Sequence, residues 1–401
     1  MSTQRATSST VDLLLACCRW PVNAADVARC AAGVDWQLFA ALARRHRVQG
    51  LVYRALSQAG LPAAPLAADA RRIATDNLRL AAESVRLHRR MAAADVPALL
   101  VKGVALGMLA YRDLGVKMGW DIDLLVAPAR LETAAAVLGE AGYRCSLPSP
   151  GTVSLAEWHA FSKESVWRHE MSGIHVELHS ALVDHPLLLP DVGAWSPAQL
   201  VELSPGMVLP TLTTDTLFAY LCVHGAASGW RRLKWLADVA ALLARGDVLE
   251  TERLYHRSQA LGAGRAAGQA LLLSHRHFGT VLTPQLAAAL HADRTARLLA
   301  WAAARMMLDE EGYDAAAERT WGTLPIHLAQ FLLLPGWRYR TVEMRRKLTP
   351  DPHVGGSRWA YPVRVLARRW REARAGEGGR SRHAPRAQSD GRFKPDQTAP
   401  L

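Results

Sequence analysis

The sequence predicts an α+β fold in which a small mixed-sheet core lies between two helical regions. Apolar residues recur at three- and four-residue spacing through residues 10–97, which is typical of amphipathic helices. Short strand-like runs replace this pattern in residues 98–190, and helical spacing returns from Ser196 to about Leu334. We therefore expect a helical N-terminal region over 1–97, an α+β core over 98–190, a helical domain over 191–337 and a separate segment over 338–401.

The core elements follow one another as strand, helix, strand, helix, strand, strand. A glycine-containing loop separates the first helix from the second strand, and Gly142 can end the second helix. A turn at Met171–Gly173 joins the last two strands as a hairpin. In chain order, the predicted strands and helices are Ala98–Val101, Ala105–Tyr111, Asp121–Val126, Leu131–Ala141, Phe161–Arg168 and Ile174–Leu182.

Charge is concentrated at one end of the chain. The 401 residues carry a formal net charge of +12, and sixteen Lys and Arg against six Asp and Glu place +10 of it in residues 338–401. A nearly neutral body gives no sign of a basic duplex channel, so we expect no template nucleic acid. The low apolar content from about residue 372 predicts disorder.

The basic segment has two interpretations. Trp359, Tyr361 and Trp370 alternate with its basic residues, so weak contact with an anionic membrane surface or nucleic acid is one reading. A solubilising end of a helical domain is the other. No apolar stretch reaches the roughly 20 residues that a membrane-spanning helix needs. Five scattered cysteines suggest free thiols in a reducing compartment, and we expect a cytoplasmic protein.

Carboxylates mark the candidate site. Side chains alternate across a strand, so Asp121 and Asp123 share one face while Ile122, Leu124 and Val126 share the other and can pack in the core. The strand of the hairpin repeats this arrangement, with His175, Glu177 and His179 on one face. If the two strands are neighbours, Glu177 becomes a third carboxylate over the same patch. Paired carboxylates hold Mg²⁺ against phosphates, although a merely polar face is the plainer alternative.

The order and spacing of several segments across residues 10–340 resemble the uncharacterised bacterial nucleotidyltransferase family, a branch of the DNA polymerase beta-like superfamily. Taken together these motifs are specific, although each of them alone is not. The segments are Arg44–Val48, Leu100–Gly103, Gly119–Val126, Val176–His179, His224–Ala226 and Leu233–Asp238.

The resemblance implies a nucleotidyltransferase core in which an acceptor hydroxyl attacks the α-phosphorus of an NTP and pyrophosphate leaves. It implies Mg²⁺ or Mn²⁺ as the cofactor, with the three carboxylates Asp121, Asp123 and Glu177 as metal ligands and catalytic residues. The acceptor stays open between a small molecule, a peptide natural product and a protein side chain. Two alternatives also stay open: a nucleotide-binding regulatory module without turnover, and a nucleic-acid or membrane adaptor that acts through the basic segment.

Cations near these carboxylates are candidates for binding the triphosphate. Gly103 matches the superfamily glycine that lets the backbone approach the phosphates, and Lys102 and Lys117 are the nearest positive charges. The resemblance adds Lys234 as a further phosphate ligand, which Asp238 can orient from four residues along the same helix. Because Mg²⁺ prefers oxygen, we expect His175 and His179 to contact the acceptor or support the site rather than bind the metal.

Overall fold

A computed structural model describes residues 2–308, 324–349 and 352 of the chain, without the side chains of residues 2–8. The disorder expected from about residue 372, and most of the basic segment, lie outside this range. Within the range no helix is both long enough and apolar enough to cross a membrane. The architecture is α+β with helical flanks, as the sequence predicts.

Helices dominate both ends of the described chain. Side-chain caps begin several of them: Asp35 accepts hydrogen bonds from the backbone N–H groups of Gln37 and Leu38, and Ser154 and Glu157 form a capping box. A 3-10 turn covers Pro128–Arg130. The α-helices are α1 (Ser2–Cys18), α2 (Ala24–Cys30), α3 (Trp36–Arg45), α4 (Gln49–Gln58), α5 (Ala64–Ala93), α6 (Gly103–Tyr111), α7 (Leu131–Glu140), α8 (Leu155–Phe161), α9 (Thr214–Ala227), α10 (Leu233–Leu243), α11 (Val248–Ala260), α12 (Gly264–Phe278), α13 (Pro284–Ala292), α14 (Arg294–Met307), α15 (Leu324–Gln330) and α16 (Trp337–Leu348).

The core is a five-stranded mixed sheet with the strand order β1-β2-β5-β4-β3. Strands β2 and β5 are parallel, and the other pairs are antiparallel. The expected neighbourhood of the Asp121 strand and the Glu177 strand is therefore confirmed. The strands are β1 (Ala98–Leu100), β2 (Asp121–Val126), β3 (Tyr143–Leu147), β4 (Glu164–His169) and β5 (His175–His179).

A second, two-stranded sheet corrects the prediction of helix from Ser196 onward. Strand β6 (Ala198–Ser204) pairs antiparallel with β7 (Met207–Leu212), and Gly206, at φ +78°, lies in the turn between them. The apolar residues here alternate with polar ones, so Val201 and Leu203 are buried together on one face. Helical structure resumes only at α9.

Two hydrophobic clusters pack against the central sheet. One contains residues of α1–α4 together with residues of α9–α14, so the N-terminal and C-terminal helices share a core. The other joins α5 and α7 to the sheet, and it contains Ile122, Leu124 and Val126. This packing leaves Asp121 and Asp123 on the opposite face of β2, beside a cleft.

Candidate active site

An open cleft lies where β2 and β5 meet the start of α6 and the side of α10. It encloses about 200 Å³, far more than the 10–15 Å³ that one water molecule needs. The cleft is therefore large enough for a ligand. Its lining combines five acidic with five basic side chains: Asp121, Asp123, Glu164, Glu177, Asp238, Arg47, Lys102, Lys117, Lys163 and Lys234.

The strand register brings the three predicted carboxylates to this cleft. In the parallel pairing of β2 with β5, Asp123 lies opposite Glu177, and Asp121 lies opposite His175. Asp123 is only 3% exposed. Three acidic groups thus share a poorly solvated patch, which is costly unless positive charge compensates them.

The pKa values of the three carboxyls separate under this crowding. Burial, followed by the charges of Glu177 and Asp123, raises the pKa of Asp121 to about 7. Burial also opposes ionisation of Asp123, but Lys102 and His179 outweigh it and hold the pKa of Asp123 well below its usual range. The pKa of Glu177 is lowered despite burial, mainly by its hydrogen bond with His179. Such divergence among neighbouring acids is common at functional sites.

His179 lies at the centre of the cluster with a fully buried ring. Its Nε2 atom is 3.2 Å from Asp123 Oδ1 and 3.4 Å from Glu177 Oε2, and its Nδ1 atom is 3.3 Å from Glu164 Oε2. Ligand atoms of Asp123, Glu177 and His179 all lie within 4.8 Å of one another. Two carboxylates and an imidazole are a donor set that fits a divalent cation.

The other predicted histidine lies apart from this cluster. His175 occupies the first position of β5, opposite Asp121, and it is partly buried. Burial, with a contribution from Arg168, lowers the pKa of His175. Its ring is not among the groups that line the cleft.

Lys102 supplies positive charge directly to the carboxylates. Its Nζ lies 2.7 Å from Asp123 Oδ1 and 5.9 Å from the centre of the Tyr220 ring. Burial disfavours the charged lysine, yet the charge of Asp123 keeps the pKa of Lys102 well above its usual range. The next residue, Gly103, begins α6 at φ +54°, a left-handed conformation that favours glycine. A Cβ there would lie 3.5 Å from the backbone oxygen of Asp121.

Lys117, Lys234 and Asp238 form another part of the cleft wall. Asp238 accepts a hydrogen bond from the Tyr111 hydroxyl at 2.9 Å, and its other carboxyl oxygen lies 3.7 Å from Lys117 Nζ. Lys234 is one helical turn away on α10. Burial first, and then the charges of Lys117 and Arg47, lower the pKa of Lys234 to about 7. This wall therefore holds positive charge that an anionic ligand would stabilise.

Sequence reasoning missed two parts of this cleft. Lys163 and Glu164 lie at the start of β4 and form an ion pair, and β4 places Glu164 opposite His179. In the sequence, the only indication of their position was the predicted antiparallel hairpin of their strand with β5. The loop after α3 contributes Arg47 to the cleft, where its guanidinium carbon lies 5.6 Å from the centre of the Trp120 ring.

Hydrogen bonds dock this loop on α10. The backbone N–H of Leu233 donates to His46 Nδ1 at 3.2 Å, and the Arg232 guanidinium donates to the backbone oxygen of Arg45. The N-terminal helices thereby position the start of the helix that carries Lys234.

Comparison with known proteins agrees with this geometry. A family model described as "Uncharacterised nucleotidyltransferase" matches residues 32–279, which include all five strands of the central sheet and every side chain that lines the cleft. A search of curated proteins gives no match. The matched region covers more than half of the chain, and the chain belongs to this uncharacterised nucleotidyltransferase family.

Proposed function

We propose that the protein is a metal-dependent nucleotidyltransferase that transfers an NMP from an NTP to an acceptor hydroxyl. The register of β2 with β5 is the observation that carries this proposal, because it sets Glu177 beside Asp123 in a cleft that also contains Asp121. Three carboxylates beside a wall of lysines suit a site that holds a cation and a polyphosphate together.

The cation belongs with the carboxylates. Asp121, Asp123 and Glu177 would hold Mg²⁺ or Mn²⁺, and the ion would neutralise phosphate charge and acidify the attacking hydroxyl. Lys102 now lies on Asp123, so its ammonium would turn to the phosphates when a cation takes its place on that carboxylate. Glu177 is the proposed acceptor of the hydroxyl proton.

The triphosphate belongs at the start of α6. Backbone N–H groups in the first turn of a helix lack intrahelical partners and attract anions, and Gly103 lies in this turn on the cleft. Lys117 and Lys234 line the same cleft. In the proposed reaction the acceptor oxygen bonds to the α-phosphorus while the bond to the α,β-bridging oxygen breaks, and pyrophosphate leaves with the electron pair.

Transfer of label tests the proposal. We would incubate the purified protein with each α-labelled NTP, Mg²⁺ or Mn²⁺ and a cell extract, and use γ-labelled NTP in parallel. We expect label to move to an acceptor from the α position only, because the γ-phosphate leaves in pyrophosphate. The acceptor stays open between a small molecule, a peptide natural product and a protein.

Matched variants separate this proposal from its alternatives. Asp121→Asn and Asp123→Asn should each lower transfer at least 100-fold, whereas Glu202→Gln, an exposed carboxylate change on β6, should leave it unchanged. Deletion of residues 372–401 should also leave transfer intact. An adaptor acting through the basic segment predicts the reverse, and a regulatory module predicts NTP binding without transfer in the wild-type protein.

A further inference from the structure

We propose that His179 is a metal ligand through Nε2, so that the site prefers a first-row transition cation such as Mn²⁺ to Mg²⁺. The inference deepens the proposed nucleotidyltransferase and rests on it. It differs from the expectation that an oxygen-preferring cation would exclude both histidines of β5. Three observations support it.

The first observation is the direction of the ring. Nε2 lies 3.2 Å from Asp123 Oδ1 and 3.4 Å from Glu177 Oε2, so the nitrogen and both carboxylates converge on one small space. The imidazole is fully buried, and the strand pairing of β5 between β2 and β4 fixes its position. A cation held by these two carboxylates would lie within reach of the nitrogen.

The second observation concerns the other ring nitrogen. Nδ1 lies 3.3 Å from Glu164 Oε2, yet it has no well-aligned hydrogen-bond partner among the described residues. A buried polar nitrogen without a partner is costly. Metal-bound histidines commonly donate their second N–H to a carboxylate, which fixes the tautomer. A cation on Nε2 would place the proton on Nδ1, and Glu164, which also pairs with Lys163, could accept a hydrogen bond from it.

The third observation is the chemistry of the donors. Imidazole nitrogen favours first-row transition ions, whereas Mg²⁺ takes oxygen ligands in a near-ideal octahedron. Lys102 Nζ lies 2.7 Å from Asp123 Oδ1, so its ammonium neutralises this carboxylate when no metal ion is bound. A divalent ion would displace this ammonium, so cation binding to the protein alone competes with Lys102.

Pulsed electron paramagnetic resonance of bound Mn²⁺ tests the ligand directly. We would add Mn²⁺ alone to the full-length protein and measure its electron spin echo envelope modulation. We expect coupling to one histidine nitrogen. This coupling should change from the ¹⁴N to the ¹⁵N pattern when histidine is ¹⁵N-labelled, and it should disappear in His179→Gln. Bound Mn²⁺ without nitrogen coupling would overturn the inference, and so would the absence of Mn²⁺ binding.

The Mn²⁺ and Mg²⁺ affinities of matched variants provide the control. His179→Gln should weaken Mn²⁺ binding at least tenfold and change Mg²⁺ binding less than twofold, while His175→Gln, four residues earlier on the same strand, should change neither. Glu164→Gln should weaken Mn²⁺ binding roughly 10-fold through the orientation of His179. An equal loss for both metals in His179→Gln would indicate a structural role and overturn the inference.

The two proposals can fail separately. Label transfer in a protein whose Mn²⁺ shows no nitrogen coupling would refute the histidine ligand and keep the nucleotidyltransferase. Nitrogen-coupled Mn²⁺ in a protein that neither binds nor transfers any NTP would refute the proposed function.

Discussion

Most charged side chains in the cleft are neutralised by ion pairs with one another rather than by solvent. Lys102 pairs with Asp123, Lys163 with Glu164, and Lys117 with Asp238. No carboxylate of the described residues forms a close ion pair with Lys234, and its pKa falls to about 7. Burial, Lys117 and Arg47 all disfavour its charged form. A bound triphosphate would favour that form, so ligand binding and protonation of Lys234 are coupled.

We predict that NTP affinity falls as the pH rises above 7, by up to about tenfold per pH unit, since the free protein must then take up a proton at Lys234. Calorimetry in buffers of different ionisation enthalpy would measure the proton uptake at pH 8. Lys234→Arg, which stays charged, is the matched variant and should bind without proton uptake. Identical uptake in the two proteins would assign the proton to another group.

At the scale of elements, the cleft depends on contacts between parts of the chain that are far apart in sequence. The loop between α3 and α4 docks on the start of α10 across 187 residues through His46 and Leu233. The His46 ring accepts this hydrogen bond as a neutral group. Burial, together with Arg45 and Arg232, lowers the pKa of His46 to about 3.

We predict that this docking weakens in acid. The folded-state pKa of His46 lies below the unfolded value of about 6.5, so its contribution to stability is complete above pH 6.5 and is lost as the pH falls toward 3. The loss is at most about 5 kcal/mol. His46→Asn keeps an acceptor but does not titrate, so its free energy of unfolding should fall less between pH 6.5 and 4. Urea titrations at several pH values would measure the free energy of unfolding of the wild-type protein and of His46→Asn. An equal dependence on pH in the two proteins would contradict this role of His46.

The sequence allowed the local part of this site to be predicted. Alternation in Asp121–Val126 separated the carboxylates from the core residues correctly, and β1, α6, α7 and the β4–β5 hairpin were also expected. The prediction of helix from Ser196 onward was wrong over β6 and β7, because a short apolar alternation was taken for a continuation of helical spacing. The positions of Arg47 and Glu164 in the cleft could not be predicted, because neither the docking of a distant loop nor the register of a neighbouring strand leaves a local pattern.

At the scale of the whole molecule, the helices from both ends of the described chain share one hydrophobic cluster. Phe39 of α3 is 1% exposed within it, as is Leu254 of α11. A shared core couples the stability of both ends, while the domain boundaries inferred from the sequence remain a prediction.

We predict that Phe39→Ala lowers the free energy of unfolding by about 3–5 kcal/mol. It should shift the signals of the N-terminal and C-terminal helices together, which hydrogen exchange with mass spectrometry can follow peptide by peptide. Leu298→Ala, an exposed change on α14, is the control and should shift neither. Exposure of α1–α4 alone would contradict a shared core.

The central claim is that the carboxylates hold a cation that helps to bind an NTP, and calorimetry tests this without knowledge of the acceptor. The protein would be titrated with each NTP in the presence of Mn²⁺ and again in the presence of a chelator. We predict binding of at least one NTP that requires the cation and weakens at least tenfold in Asp123→Asn. No NTP binding in Mn²⁺, or binding unchanged by the chelator and by Asp123→Asn, would contradict the account.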